Sequence, residues 1–435
     1  MIHLIKNKSR LLHYFLTASG FLLVFSSCKT NKLAEAHKTK TNSFRVASME
    51  APPGMVYVPS GTFELLSPDD STNQAHYASV SAFFIDKAEV TNKQYRQFVD
   101  WVADSVAITD YLGDDSYFLP LEDGSTNTRP INWAKVGKRS PLWKNGTEEE
   151  IEKLREMTVD MGGKRMLDPE KAKYRFYYTR MVGGVGSDKT VETVGVMPKL
   201  NVWSVDFPNA QMQMMDDNYF DTKIFDDYPV VGVSWKQARA FTDWRAKQVK
   251  LYMKRNVALR DFNLAFSLPT EIQWRYAAQA KSNPADTTEG TMKTFDDGDE
   301  ERLALNFKQG EGTYSMDGAV FTLPVKSYAP NALGIYNMAG NVSEWALDAY
   351  SPSYASLVND INPVLLYDVP DSANPLMKRK VVCGGSWKDN GGMLNTDARS
   401  FEEQDKQHAY IGFRCVMEAI EIPGAAVKTR RYKEQ

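Results

Sequence analysis

Residues 334–348, GIYNMAGNVSEWALD, constrain this chain more than any other stretch, together with residues 381–389, VVCGGSWKD. The first sets tight-turn residues directly against buriable aromatics and carries three polar groups, Asn337, Asn341 and Glu344. Gly340 permits a sharp backbone turn, and Asn341 tolerates left-handed geometry. Carbonyls released by such a turn can join Asn and Glu oxygens around a hard cation such as calcium. The same residues equally describe a buried turn whose Asn side chains satisfy local backbone. In the second stretch a glycine pair precedes Trp387, which indicates close backbone approach and packing, not chemistry.

With 435 residues, the chain has room for one large domain or two ordinary ones. Aromatics make up 12% of it, which suits irregular backbone pinned by rings, and a net charge of −3 gives no electrostatic case for nucleic acid. Lys6, Lys8 and Arg10 precede a short apolar run, residues 11–25, too short to span a bilayer comfortably. FSSC follows at residues 25–28 and resembles the lipobox of bacterial lipoproteins, with small Ser26 and Ser27 before an acylatable Cys28. A plain secretory signal with an incidental cysteine is the other reading. Residues 1–27 are thus expected to be a signal peptide and 28–50 a polar, flexible tether; 421–435 form a basic tail. Lys29 follows Cys28, without the aspartate of inner-membrane retention, which favours lipid anchoring in the outer membrane, facing the periplasm.

Between tether and tail, periodicity predicts short strands at 55–58 and 80–86. Thr91 and Asn92 cap a first helix with Tyr95, Phe98, Val99 and Val102 on one face. Ser234 caps a second helix that buries Ala238, Phe241, Thr242 and Arg245. Thr270 and Gln273 form a capping box before Trp274, Ala277 and Ala278. These elements predict a mixed α+β domain over 51–420. Residues 105–227 hold a charged helical piece at 147–160, a basic-aromatic run KAKYRFYYTR (171–180) and a Met/Asp-rich run AQMQMMDDNYF (210–220). The run at 171–180 fits an exposed edge strand and a half-buried strand equally. Cys383 and Cys415 both lie in apolar, strand-like runs, and either a bridge between them or two free buried thiols fits.

Seven ordered motifs carry a family resemblance: PPGMVYVPSGTF (52–63), FFIDKAEVTNKQYRQFV (83–99), YPVVGVSWKQARAFTDWR (228–245), FSLPTEIQWRYAAQA (266–280), YAPNALGIYNMAGNVSEW (328–345), CGGSW (383–387) and YIGFRCV (410–416). The chain resembles the formylglycine-generating enzyme, or sulfatase-modifying factor, superfamily over about residues 52–418. That resemblance implies an irregular, C-type-lectin-like fold with few short helices, many short strands and long loops. It implies two structural calcium sites. One would use Asn306, the Phe307 carbonyl, Asp317 and the Ala319 carbonyl; the other Asn337, the Gly340 and Val342 carbonyls, and Glu344. Within that superfamily, the 105–227 insertion and the ordered runs YRQFVDWVADS, KYRFYYTRM, NVWSVDFPNAQMQMMDDNYF, DDYPVVGVSWKQA, NFKQGEGTYSMDGAVFTLPVKSYAPNALGIYNMAGNVSEW and GGSWKDN make the chain similar to the lipoprotein K group of gliding motility and type IX protein secretion (GldK/PorK). This implies a periplasmic ring built by self-association with a partner protein N (GldN/PorN) and other components of the secretion machinery. Tyr174, Phe176, Tyr177 and Tyr178 are the interface candidates, because aromatics bury area well at protein contacts.

Enzymes of the superfamily work through a pair of cysteine thiolates that bind copper, and soft thiolates suit Cu(I). The corresponding stretch here, KDNGGMLNTDARS (388–400), contains no cysteine; Asp389 and Gly391 stand roughly where the thiols would fall. The expectation is therefore a pseudoenzyme without copper and without catalytic residues. Alternatives are the related gliding lipoprotein J, an oxidoreductase of the formylglycine-generating type, and a periplasmic glycan-binding module. Cys28 is predicted to become the acylated N-terminus, since two or three acyl chains anchor far more firmly than one. Mass spectrometry of the mature N-terminus checks this: an unmodified terminus, or Cys28→Ser protein retained in the membrane fraction, contradicts it.

Overall fold

A computed structural model of the chain describes residues 51–65, 76–120, 129–161, 163–182, 185–253, 265–279, 304–310, 314–315 and 319–419. Cys28, the leader, the tether, Asp317 and the basic tail lie outside the described residues. Fourteen short strands are described. One sheet has the order β1-β4-β14-β9, joining β1 (Met55–Val58), β4 (Phe83–Asp86), β14 (Val416–Glu418) and β9 (Phe266–Ser267). A second has the order β12-β11-β10-β13, from β12 (Ser400–Glu403), β11 (Arg379–Cys383), β10 (Ser343–Ala349) and β13 (Ile411–Gly412). Three hairpins complete the set: β2 (Gly61–Leu65) with β3 (His76–Val80), β5 (Thr158–Met161) with β6 (Lys164–Leu167), and β7 (Lys173–Val182) with β8 (Val185–Gly195). The strand expected over 80–86 divides: Val80 ends β3, and Ser81 and Ala82 turn the chain into β4.

The helices begin where their caps place them. Thr91 accepts from the Gln94 N–H, and the Gln94 side chain accepts from the Thr91 N–H, starting α1 (Asn92–Val106). Two otherwise orphaned donors are thereby satisfied. α2 (Val202–Asp206) is a short turn within the insertion. α3 (Trp235–Met253) starts with the same reciprocal pattern, the Ser234 N–H donating to Gln237 and the Gln237 N–H to Ser234 Oγ. α4 (Glu271–Ala278) opens on the Thr270–Gln273 capping box. The charged piece at 147–160 is helical for less than its length: Glu148–Lys153 is α-helix, Leu154–Met157 a 3₁₀ turn, and β5 follows. Among the described residues no helix is long and apolar enough to cross a membrane.

α1 packs on α3 through aromatic rings. Tyr95 stacks on Phe241 at 5.7 Å, Phe98 meets Tyr174 edge-on at 5.3 Å, and Phe98 and Phe241 each lie 5.4 Å from Trp244. Tyr174 belongs to β7, so this core includes the insertion. In β7 the burial alternates: Tyr174 and Phe176 face inward, Tyr178 is half-buried, and Tyr177 is exposed. This corrects the sequence-based interface assignment, because the strand period of two places successive side chains on opposite faces. Of the four aromatics only Tyr177 presents its ring to solvent; Tyr174 instead donates its hydroxyl to Asp243 Oδ2 of α3 at 2.7 Å. Cys383 and Cys415 are both free and buried. The two thiols are unbridged in the structure, Cys383 ending β11 in one sheet and Cys415 preceding β14 in the other. Phe98→Ala empties the centre of the α1–α3–β7 contact and is expected to cost about 3–5 kcal/mol, read as a lowered midpoint in urea unfolding.

Candidate functional site

The turn before β10 folds around polar groups that lie far apart in sequence. Asn341 has φ +61° and Asn337 φ +51°, left-handed conformations that Asn tolerates. Gly340 has φ +79°, and a Cβ there would stand 2.5 Å from the Asn306 carbonyl oxygen, so only glycine fits. The Asn341 N–H donates to that same carbonyl at 2.8 Å, and the Asn341 carbonyl accepts from the Trp387 N–H at 2.9 Å. The Asn341 side chain joins three further segments: Oδ1 accepts from the Leu323 N–H and from Asn306 Nδ2, while Nδ2 donates to Glu89 Oε1. The turn is thus held by its own asparagines, and the glycine pair serves packing: a Cβ on Gly384 would meet the Trp274 ring at 3.0 Å.

Below the turn lies a buried ionic group. Glu344 Oε1 accepts from Arg414 Nη2 at 2.6 Å; Oε2 accepts from Arg414 Nε at 2.6 Å and from Trp274 Nε1 at 2.9 Å. Arg414 also donates to the Asp86 and Tyr336 carbonyls. A second carboxyl, Glu89, lies nearby and accepts from Asn337 Nδ2 at both oxygens and from Asn341. Burial pushes the Glu89 carboxyl up, Arg414 pulls it back and Glu344 pushes it up again, leaving it at about 7. Glu89 was not singled out from sequence; its only local signal is a lone acid between Ala88 and Val90, ahead of a helix cap.

The second expected calcium set, Asn337, Gly340, Val342 and Glu344, is gathered within this turn. Its donors are hard oxygens, Glu344 Oε1 accepts a single hydrogen bond, and one arginine faces two carboxyls. All four are oxygen donors of the kind calcium takes, but both Glu344 oxygens already accept from Arg414, so the carboxylate would have to be shared with the guanidinium. Of the first set, Asn306 lies beside the same turn, but its Nδ2 donates to the Phe321 carbonyl at 2.9 Å and to Asn341 Oδ1 at 3.1 Å. Phe307 and Ala319 are buried, and Asp317 falls outside the described residues.

Where the resemblance would place the thiol pair, Asp389 locks the turn after Trp387. Its Oδ2 accepts from the Ser386 N–H and Oγ, and its Oδ1 pairs with Lys388 at 2.6 Å. Gly391 opens a short 3₁₀ turn. The thiols of Cys383 and Cys415 are raised by burial, so neither is poised as a thiolate.

Next to this turn, His408 lies between two carboxylates, Nδ1 at 2.9 Å from Asp206 of α2 and Nε2 at 3.0 Å from Glu402 of β12. Its ring stacks on Tyr410 at 4.8 Å. Burial alone would lower this imidazole, but the bonds to Asp206 and Glu402 outweigh it and lift it to about 9. A folded-state value above the ordinary 6.5 stabilises the fold fully below pH 6.5, and that gain disappears as pH rises through 9. His408→Gln is therefore expected to lose about 2 kcal/mol at pH 6, a figure reduced for solvent screening, and little at pH 10. Urea unfolding of both proteins across that range checks the difference.

A family profile described as "Sulfatase-modifying factor enzyme 1-like domain" matches residues 40–419. The formylglycine-generating enzyme of Thermomonospora curvata is 25% identical over 391 residues, 86% of this chain and 97% of that protein. The formylglycine-generating enzyme of Streptomyces coelicolor is 31% identical over 212 residues, 46% of this chain and 56% of that protein. The inactive C-alpha-formylglycine-generating enzyme 2 of Bos taurus is 27% identical over 210 residues, 46% of this chain and 53% of that protein. The chain thus spans little more than half the length of the last two. Among solved structures, PvdO from Pseudomonas aeruginosa superposes with a TM-score of 0.44 at 16% identity, covering 87% of this chain and 99% of that one. The fold is the mixed α+β arrangement of short helices and many short strands expected from sequence, and the chain belongs to the sulfatase-modifying factor enzyme 1-like domain family.

Proposed function

We propose that this chain is a non-catalytic, lipid-anchored member of its family that builds the periplasmic ring of the type IX secretion and gliding-motility machinery with partner protein N. The observation that supports the reading is that residues 388–400, where the resemblance would place the superfamily's thiol pair, contain no cysteine. A carboxylate tied to Ser386 and Lys388 offers no soft ligand to copper. The insertion supports the reading from the other side. It is tied to the core through Tyr174, which donates to Asp243, and through Asp206, which pairs with His408, so its outer surface is carried on a fixed body. A subunit tethered to a membrane gains effective concentration for lateral contacts, and repeated head-to-tail contacts close into a ring when the rotation permits.

Isolation of the full-length protein from outer membranes of its source organism tests this. The expected result is a heavy assembly containing protein N, with secretion lost in a strain lacking the chain. Intact secretion in that strain, or copper-dependent oxygen consumption by the purified protein, overturns the reading.

Calcium belongs to the same proposal as a structural ion at the turn. Asn337, the Gly340 and Val342 carbonyls and Glu344 would hold it, with Glu344 shared between the ion and Arg414. Ion binding to the native state alone raises stability by mass action. Chelation is expected to lower the melting temperature of purified protein by several degrees, about what 1–2 kcal/mol gives in a domain of this size. An unchanged melting curve removes calcium from the turn.

A further inference from the structure

We propose that the outer face of the β7–β8 ribbon is a docking surface for an extended, acidic protein segment with an apolar residue at its centre. The proposal rests on reading the chain as an assembly subunit and specifies which surface serves that role and what it recognises.

The ribbon has two unlike faces. Its inner face is fixed to the body of the domain: Tyr174 is hydrogen-bonded to Asp243, Phe176 is buried, and the Arg239 guanidinium lies 4.3 Å from the Tyr178 ring. The outer face carries Tyr177 and Val191, directly opposite each other across the two strands. They are 60% and 41% exposed, so a contiguous apolar pair is presented to solvent. Around it stand Lys173, Arg175 and Lys189, all exposed. Among the described residues that β7 and β8 contribute to this face there is no carboxylate; the nearest acid paired with it is Glu170, in a solvent-exposed contact with Lys173. Exposed pairs of that kind hold little energy and are readily exchanged for a partner's carboxylate.

An apolar centre ringed by charge of one sign has the anatomy of a binding patch, with a desolvated anchor and a rim that selects the partner. Three exposed cations, with no carboxylate among the described side chains of the face, select a carboxylate-rich partner and speed its approach. A second copy presenting the same face is disfavoured, because it would set like charges opposite one another. At the end of β7 the backbone of Met181 is closed by Asp368, whose N–H donates to the Met181 carbonyl and whose Oδ2 accepts the Met181 N–H. The occupant therefore lies across the face there and does not extend the sheet.

The test uses the full-length protein in its native membrane, with Tyr177→benzoylphenylalanine as a photocrosslinker and the adduct mapped by mass spectrometry. The expected adduct joins residue 177 to a different protein, within a stretch where carboxylates flank an apolar residue. Arg175→Glu combined with Lys189→Glu is expected to cut the yield about tenfold with unchanged melting, since both side chains are exposed. The charge-preserving Tyr177→Ser with Val191→Thr should weaken recovery of the partner with the wild-type protein's dependence on ionic strength retained. An adduct to lipid, to a second copy, or to a segment lacking carboxylates overturns the proposal, as does no adduct. The size of the membrane-extracted assembly separates the two readings. A heavy complex that persists in the charge-reversed variant sinks this face alone, whereas its absence in the unaltered protein sinks the assembly role.

Discussion

The Glu344–Arg414 pair organises this fold. Both groups are excluded from solvent, and removing two such ions from water costs several kcal/mol each unless geometry and further hydrogen bonds compensate. Here they do. The guanidinium grips both carboxylate oxygens, Trp274 supplies a third donor, and the remaining arginine N–H groups reach the carbonyls of Asp86 and Tyr336. One ion pair therefore joins β10 of the second sheet, the segment leading into β14 of the first, helix α4 and the turn at 336–341. Removing either partner would leave a buried charge, a penalty of about 3–5 kcal/mol that no neighbouring loop could relieve.

Local elements were largely legible in the sequence because their signals are local. Thr91, Ser234 and Thr270 each cap a helix through bonds to residues three positions on, a pattern visible in the letters. Gly340 and Asn341 announced a left-handed turn for the same reason. What was not legible depends on partners far along the chain. Glu89 looks like any surface acid until Asn337 and Asn341, some 250 residues later, close over it. The aromatic run of β7 showed its alternation but not which face would be buried, since that is decided by α1 and α3. His408 has one partner six residues away, Glu402, but the pair becomes a charged cluster only with Asp206, which lies 202 residues upstream.

The insertion proves to be structural as well as distinctive. Asn92 of α1 donates to the carbonyls of Tyr219 and Phe225, Arg96 pairs with Asp226, and the Tyr174 hydroxyl of β7 donates to Asp243 of α3. These contacts tie both the middle and the end of the insertion into the surrounding domain. Excision of 105–227 would expose the aromatic faces of α1 and α3 and unpair Arg96, so the segment is no detachable appendage. Whatever binds its outer surface therefore acts on a rigid body, with little loop-ordering entropy opposing the contact.

The order in which the strands join the first sheet has a kinetic meaning. β1 and β4 come from residues 55–86, yet the strand that pairs with β4 on its other side is β14, residues 416–418. Arg414 arrives with it. Until the chain has been delivered through that point, β4 keeps an open edge, Glu344 has no counter-charge and Asp86 lacks the Cys415 N–H. Such long-range closure slows folding and leaves apolar strand edges exposed meanwhile. The sheet therefore locks only once the 329 positions that separate Asp86 from Cys415 have been supplied, so its closure is non-local and late by construction.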